Sequence, residues 1–369
     1  MRRLLDLITS TRTAAYLMAA VVFLVLLSAI VPQEGFDTGR VKGSGGIIEA
    51  LQPTMRALAL DRIYNSPIFL VLLALLSTGL LAGSLRRLTH LRKMKSPAVR
   101  VQHLGSVIFH IALVAVLAGA MLNRSYSFQG AFGLTEGQQA IDDPGQYVKM
   151  GFGSLRGDRF GRFQLRLNSI ELHHPAGGAT TEAADVTINW NSGLSAAEGL
   201  VAINEPLRWN GLEFHLGSLV GYSPEIVILD DSDTALLRTF VRVGGHRTGP
   251  GKIIHEDFID SPVAGQKLGI RVEPGASPGT GPTVAVTVLE DETEIQAGIA
   301  AVGDTLQMGG IRVAVPRMRR WCYIQVVENP WIWLIFTGFW VGLAGQALSA
   351  VARVLPRAKD SKSRTRGQI

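Results

Sequence analysis

Residues 102–122 read QHLGSVIFHIALVAVLAGAML, an apolar run with one histidine, His110, set inside it. At about 1.5 Å per helical residue, a run of this length covers the ~30 Å hydrocarbon core of a bilayer. An imidazole at that depth has no water around it, which makes His110 a functional-site hypothesis by default. Three further runs of membrane length lie near Ala14–Val31, Pro67–Leu85 and Trp331–Val351, and none of the four has Asp, Glu, Lys or Arg inside it. Four transmembrane helices are expected, over about 14–31, 67–85, 104–122 and 330–352.

The net charge of +6 and the pI of 9.6 could point to nucleic acid. The basic residues sit where a membrane protein would place them. Arg2, Arg3 and Arg12 precede or open the first run. Arg86, Arg87, Arg92, Lys93, Lys95 and Arg100 fill the short segment after the second. Arg353, Arg357, Lys359, Lys362, Arg364 and Arg366 follow the fourth. Short loops rich in Lys and Arg stay in the cytoplasm, so both termini are read as cytoplasmic and the long region between the third and fourth spans as extracytoplasmic. No nucleic-acid partner is expected; the lipid bilayer is. Arg317, Arg319 and Arg320 fall outside this pattern, and long translocated regions are exempt from the count. They are read as a solvated or lipid-facing patch, with carboxylate ligands as the alternative.

The domain reading follows: a membrane region over 1–122, an extracytoplasmic domain over 123–329, the fourth span at 330–352 and a basic cytoplasmic tail at 353–369. The first run is longer than a signal-peptide core and lacks a clean cleavage site, so it is read as a retained span. After it come the exit at Pro32 and Gln33 and an apolar stretch from Ile47 to Leu60, broken at Pro53, expected to lie on the membrane surface as a helix. Asn65, Ser66 and Pro67 form a helix-start signal.

The 123–329 region breaks into short alternating or β-branched runs, among them FQLRLNSIEL, DVTINW, LEFHLGSLV, EIVILD, TVAVTVLE and CYIQVV, punctuated by Gly, Pro, Asn and Asp. Such spacing is typical of all-β folds. Val186, Ile188 and Trp190 alternate with Thr187 and Asn189, as a half-buried strand requires. About ten strands closing one sandwich or barrel-like core are expected. The fold class is an α+β membrane protein, with four transmembrane helices and a large all-β exported domain between the third and fourth.

His110 lies about six residues into its span, or about 9 Å deep. Ser106, Val107, Leu113, Val114 and Leu117 share its face, while Ala112, Ala115 and Gly119 form an opposite face of small residues that permits close helix packing. Position alone leaves two readings open, a cofactor or proton site and a structural interhelical hydrogen bond. His103, one heptad earlier, is a second candidate, but about 10 Å along the axis separates it from His110, too far for one shared metal ion. His173, His174, His215, His246 and His255 are scattered and lack the spacing of a zinc site, so no metal site is assigned. The single cysteine, Cys322, excludes an internal disulfide and any CxxC chemistry and is read as a small apolar filler. Gly251-Lys252 is followed by Ile253 and makes no phosphate loop, and GFGSLRG around Ser154 is not a hydrolase elbow. No catalytic residues are assigned.

Several features taken together resemble one family. Pro32-Gln33 follows the first span and SPIF (Ser66–Phe69) opens the second. HLGSVIFHIALVAVLAGAML forms the third, INEPLRWNGLEF (Ile203–Phe214) a strand pair, and NPW…TGFWVGLAG (Asn329–Gly345) the closing span. In this order and layout the chain resembles ResB-type cytochrome c biogenesis proteins of system II. The resemblance implies a membrane subunit that helps to carry haem outward and present it for covalent attachment to apocytochrome c. It implies a CcsA-type membrane partner, transient haem b shared with that partner, and His110 as a haem iron ligand. It also implies a non-catalytic subunit of a haem lyase complex, since the partner's tryptophan-rich segment and external histidines have no counterpart here. His215, after the strand pair, stands where relatives often carry tyrosine or glutamine. A bacterial plasma membrane is expected. Two alternatives stand beside this reading: a tethered β-domain that scaffolds apocytochrome without binding haem, and a haem-binding electron-transfer subunit.

Overall fold

The computed structural model describes residues 10–30, 63–64, 66–91, 94, 96–173, 181–192, 194–230, 232–249, 252–263, 265–273, 281–290, 293–308 and 310–354. The surface helix expected over Ile47–Leu60, the exit at Pro32 and Gln33, and the tail beyond Val354 lie outside the described residues. The chain divides into two compact units, one formed by Met1–Tyr126 with Pro330–Ile369 and the other by Ser127–Asn329.

The first unit holds helices α1 (Thr11–Ile30), α2 (Pro67–Leu91), α3 (Pro97–Tyr126) and α4 (Ile332–Val354). All four are long and apolar enough to cross a membrane. Large apolar side chains such as Phe23, Leu26, Phe336 and Trp340 point outward, which in water would be costly and in lipid is the favourable arrangement. The Ser66 hydroxyl accepts from the Phe69 amide at 3.2 Å, capping α2 with Pro67 at its first position, where a missing N–H costs nothing. Phe69 and Leu73 of α2 bury against Ile63, with Val21, Leu24 and Leu27 of α1 and Leu117 and Met121 of α3 packed around them.

Contact between α3 and α4 is backbone-close. A Cβ placed on Gly105 would lie 2.6 Å from both the Gly345 carbonyl oxygen and the Ser349 nitrogen, and one on Gly345 would lie 2.8 Å from the Phe109 nitrogen. Only glycine fits such an approach, the small-residue mode of packing in membranes. At one end of this seam the Asn123 side chain accepts from the Trp331 amide at 3.2 Å, and Tyr126 and Trp331 rings lie 6.4 Å apart. Gly105, Ala112 and Gly119 are the small buried residues of α3; Ala115, expected on that face, is only half-buried.

The second unit is all-β, with 17 strands among its described residues. Four are needed below: β1 (Phe128–Thr135), β3 (Lys149–Phe152), β8 (Leu212–Leu229) and β17 (Met318–Glu328). An eight-stranded sheet contains, in order, β15 (Thr305–Met308), β16 (Ile311–Ala314), β8, β17, β1 and β3, accompanied by a five-stranded and a four-stranded sheet. The Asn210-Gly211 turn leading into β8 has φ of 47° and 78°, the twin positive angles of a tight hairpin turn.

There are two hydrophobic cores, not the single one expected. The first gathers Phe128, Phe132, Phe163, Leu165, Val186, Ile188, Phe214, Ile324 and Val326; the second gathers Ile226, Ile228, Ile270, Val286, Val313 and Val315. The reason lies in β8. Its Gly-Tyr-Ser-Pro stretch at residues 221–224 has the composition of a turn, yet the strand runs through it, pairing with β17 from Leu212 to Pro224 and continuing to Leu229. The first half of β8 faces one core and the second half the other. A Cβ at Gly221 would meet the Val243 carbonyl oxygen at 2.5 Å and the Trp321 ring nitrogen at 2.7 Å, so glycine is required for packing there. Trp190, expected inward, sits at a strand end, 43% exposed, against Trp209.

Candidate functional site

His110 stands on α3, half-buried, with Phe109 edge-on at 5.5 Å. Its Nδ1 lies 2.5 Å from the Ser106 carbonyl oxygen, one turn earlier in the same helix. A carbonyl can only accept, so Nδ1 carries the proton and the Nε2 of the neutral ring keeps its lone pair. Among the described residues nothing else hydrogen-bonds to this ring. A backbone carbonyl that fixes ring orientation and tautomer is a usual support of a metal-ligating imidazole.

Ser106 is engaged twice. Its hydroxyl accepts from the Arg87 guanidinium of α2 at 2.8 Å. The sequence reading placed Arg86 and Arg87 in a loop, but α2 continues as helix to Leu91, and α3 begins at Pro97, well before the apolar run. Arg, Leu and Thr sustain a helix beyond its hydrophobic boundary at little cost. The signal available in the sequence was the absence of Gly and Pro between Leu85 and Leu91. His90, on the same last turn, bonds its Nδ1 to the Arg86 carbonyl at 2.8 Å.

His103 shares α3 with His110 seven residues away, about 10 Å along the axis, and the structure does not bring the two together. His173 lies 3.2 Å from Glu205, and His215 lies 3.3 Å from Glu213. His255 packs edge-on to Tyr222 at 5.6 Å. His174 lies outside the described residues. Among the described residues no group of three or more His, Cys, Asp or Glu could hold a metal ion.

Cys322 is fully buried in the first β core, and burial pushes its thiol up to about 12. A thiol so protonated is a poor nucleophile.

Arg317, Arg319 and Arg320 all have partners inside the β unit. Arg317 donates from Nε and NH2 to the two Glu225 carboxylate oxygens at 2.7 and 3.2 Å, and Arg238 donates to the same carboxylate at 2.7 Å. Arg319 donates to the Glu136 carbonyl at 2.6 Å and lies over the Phe240 ring at 4.9 Å. Arg320 pairs with Glu182. Arg317 and Arg320 are thus ion-paired within the sheets, while Arg319 is held by a carbonyl and a ring. The hydrogen bond from Arg317, aided by Arg238, outweighs burial and lowers Glu225 to about 2.

A second charged cluster sits where β1, β3 and β17 meet. Arg156 is 1% exposed, its guanidinium 4.1 Å from the Phe128 ring centre and 4.7 Å from that of Phe160, with Nε 3.5 Å from Glu328. Arg162 forks onto Glu328 at 3.1 and 3.0 Å, and Tyr147 donates to Asp142 at 2.6 Å. Two cations face two carboxylates, so the cluster is electrically closed and holds the start and end of the domain together. Burial, then the bond to Asp142, raises the Tyr147 hydroxyl far above its ordinary range.

What the described residues offer chemically is therefore a helix carrying an oriented imidazole, that of His110, one turn from a guanidinium, together with a β unit in which eight arginines have a carboxylate within 4 Å. The chain matches the ResB-like family over residues 98–316, which takes in α3 with His110 and the β unit as far as Pro316. Comparison with curated proteins returned no significant match. The match spans more than half of the 369 residues, and the chain belongs to the ResB-like family.

Proposed function

We propose that this protein is a multi-pass membrane subunit of cytochrome c maturation, of the system II kind, that helps to pass haem across a bacterial plasma membrane and present it to apocytochrome c. Membership of the ResB-like family supports the pathway. The observation that carries the haem role is the Nδ1 bond of His110 to the Ser106 carbonyl, which leaves Nε2 free in a membrane-length helix. Neutral imidazole is a strong ligand for haem iron and tolerates a low-dielectric site far better than a charged group.

The residues present fit such a cargo. His110 offers the nitrogen, and Phe109 stands edge-on to its ring. A Cβ on Gly83, one turn before Arg87 on α2, would meet nothing within 4 Å among the described residues. Haem supplies the iron and the vinyl groups that the apoprotein's cysteines attack. The protein's own residues hold it by one axial bond, keep the imidazole in a single tautomer, and keep the helix in place through the glycine seam. His110 would supply one axial ligand, so that the site would be half of one and the CcsA-type partner would bring the other. On the positive-inside reading the β unit faces outward and His110 lies nearer the cytoplasm, where cargo enters.

His110→Ala should abolish cytochrome c maturation, and added imidazole should partly restore it by filling the vacant ligand position. Unimpaired maturation in the variant would sink the ligand role. Haem that remains tightly and stoichiometrically bound to the isolated chain would instead favour an electron-transfer subunit.

A further inference from the structure

Arg87 differs from eight of the arginines of the β unit. Arg156, Arg162, Arg208, Arg238, Arg271, Arg312, Arg317 and Arg320 each have a carboxylate within 4 Å. Arg87 is exposed and bonded to a neutral hydroxyl, that of Ser106, and no described carboxylate pairs with it. That bond uses one of its five N–H donors. The same serine binds His110 through its carbonyl oxygen, so one residue of α3 fixes a guanidinium and an imidazole on the same side of the helix. Their separation is two hydrogen bonds and the breadth of one residue, within the reach of a flat macrocycle with acidic groups on one edge.

We infer that Arg87 is the carboxylate anchor of the site: it holds an acidic side group of the ligand whose metal His110 takes. This rests on the axial-ligand reading of His110 and deepens it, since it gives the site a preference for a tetrapyrrole with free carboxylates and fixes which edge faces the end of α2. The arrangement is economical in physical terms. A guanidinium at the helix end stays solvated when the site is empty and forms a charge-assisted fork with a carboxylate when it is filled. Near the last turn of a helix a cation is also favoured by the backbone dipole. Arg87 is a positioning residue; His110 alone touches the metal.

The test is a titration of the purified full-length chain in detergent with haemin and with haemin dimethyl ester, followed through the Soret band. Four proteins are compared: wild type, Arg87→Gln, Arg87→Lys and His110→Ala. Arg87→Gln should weaken haemin by about tenfold, the scale of a hydrogen bond to a charged group, and leave the dimethyl ester unchanged, with Arg87→Lys in between. Equal loss for both ligands, or no loss for either, would overturn the anchor while leaving His110 in place. His110→Ala should remove the imidazole-type spectrum with both ligands. If it does not, the axial-ligand reading fails irrespective of Arg87. A wild-type chain that binds neither ligand overturns both.

Discussion

Gly105→Ala should pry α3 from α4. The new methyl would sit 2.6 Å from the Gly345 carbonyl oxygen and 2.6 Å from the Ser349 nitrogen, against an ordinary van der Waals separation of about 3.5 Å. Both obstructing atoms are backbone, so neither can rotate away. The helices must part by roughly 1 Å, and a gap of that size forfeits about a quarter to a half of the dispersion energy of the pairs it separates. Overpacking in a tight core costs about 1–3 kcal/mol, and with no side chain to yield this site belongs at about 3. Gly83→Ala is the control, because its methyl meets nothing within 4 Å and a helical alanine is favoured over glycine by up to about 1 kcal/mol. Unfolding of the purified chain in mixed micelles, titrated with sodium dodecyl sulfate, reads both. Gly105→Ala matching wild type, or Gly83→Ala losing as much as Gly105→Ala, would refute the seam.

Two further outcomes follow from the β unit. The Glu225 carboxyl is lowered from 4.5 to about 2, so the fold favours its charged form. That contribution is complete above about pH 4.5 and is lost as pH falls through about 2. A shift of this size corresponds to about 3 kcal/mol, discounted to about 2 because solvent reaches both arginine partners. Glu225→Gln should therefore be less stable than wild type near neutrality by about 2 kcal/mol and converge on it toward pH 2, as read by tryptophan fluorescence in denaturant; a constant difference across that range would contradict the pairing. Cys322, buried and pushed up to about 12, should resist maleimide at pH 7.5 until denaturant is added, and rapid labelling of the folded chain would place it elsewhere.

How much of this was written in the sequence depends on range. The four membrane-length helices follow from apolar runs and local punctuation, as Ser66 and Pro67 show at the start of α2. The β character of the long insertion follows from alternation, as in Val186 and Ile188. The two-core layout did not follow, because Gly221 and Pro224 have turn composition while their strand is carried through by pairing with β17, about a hundred residues away in sequence. The same distance hid the ion pairs: Arg162 and Glu328 are 166 positions apart, and Glu225 and Arg317 are 92 apart. No local pattern marks those partners. For the site, His110 stood out because a lone histidine in a membrane-length run is rare. Arg87 did not, because hydropathy placed the end of α2 at Leu85 and turned a helical arginine into a loop residue.

In the proposed function His110 is an axial ligand for haem in transit. The most direct measurement is the absorption spectrum of haem recovered with the full-length chain from membranes that are maturing cytochrome c, wild type against His110→Ala, with and without added imidazole. The expected result is loss of the ligated spectrum in the variant and its partial return with imidazole. An unchanged spectrum in His110→Ala would contradict the account.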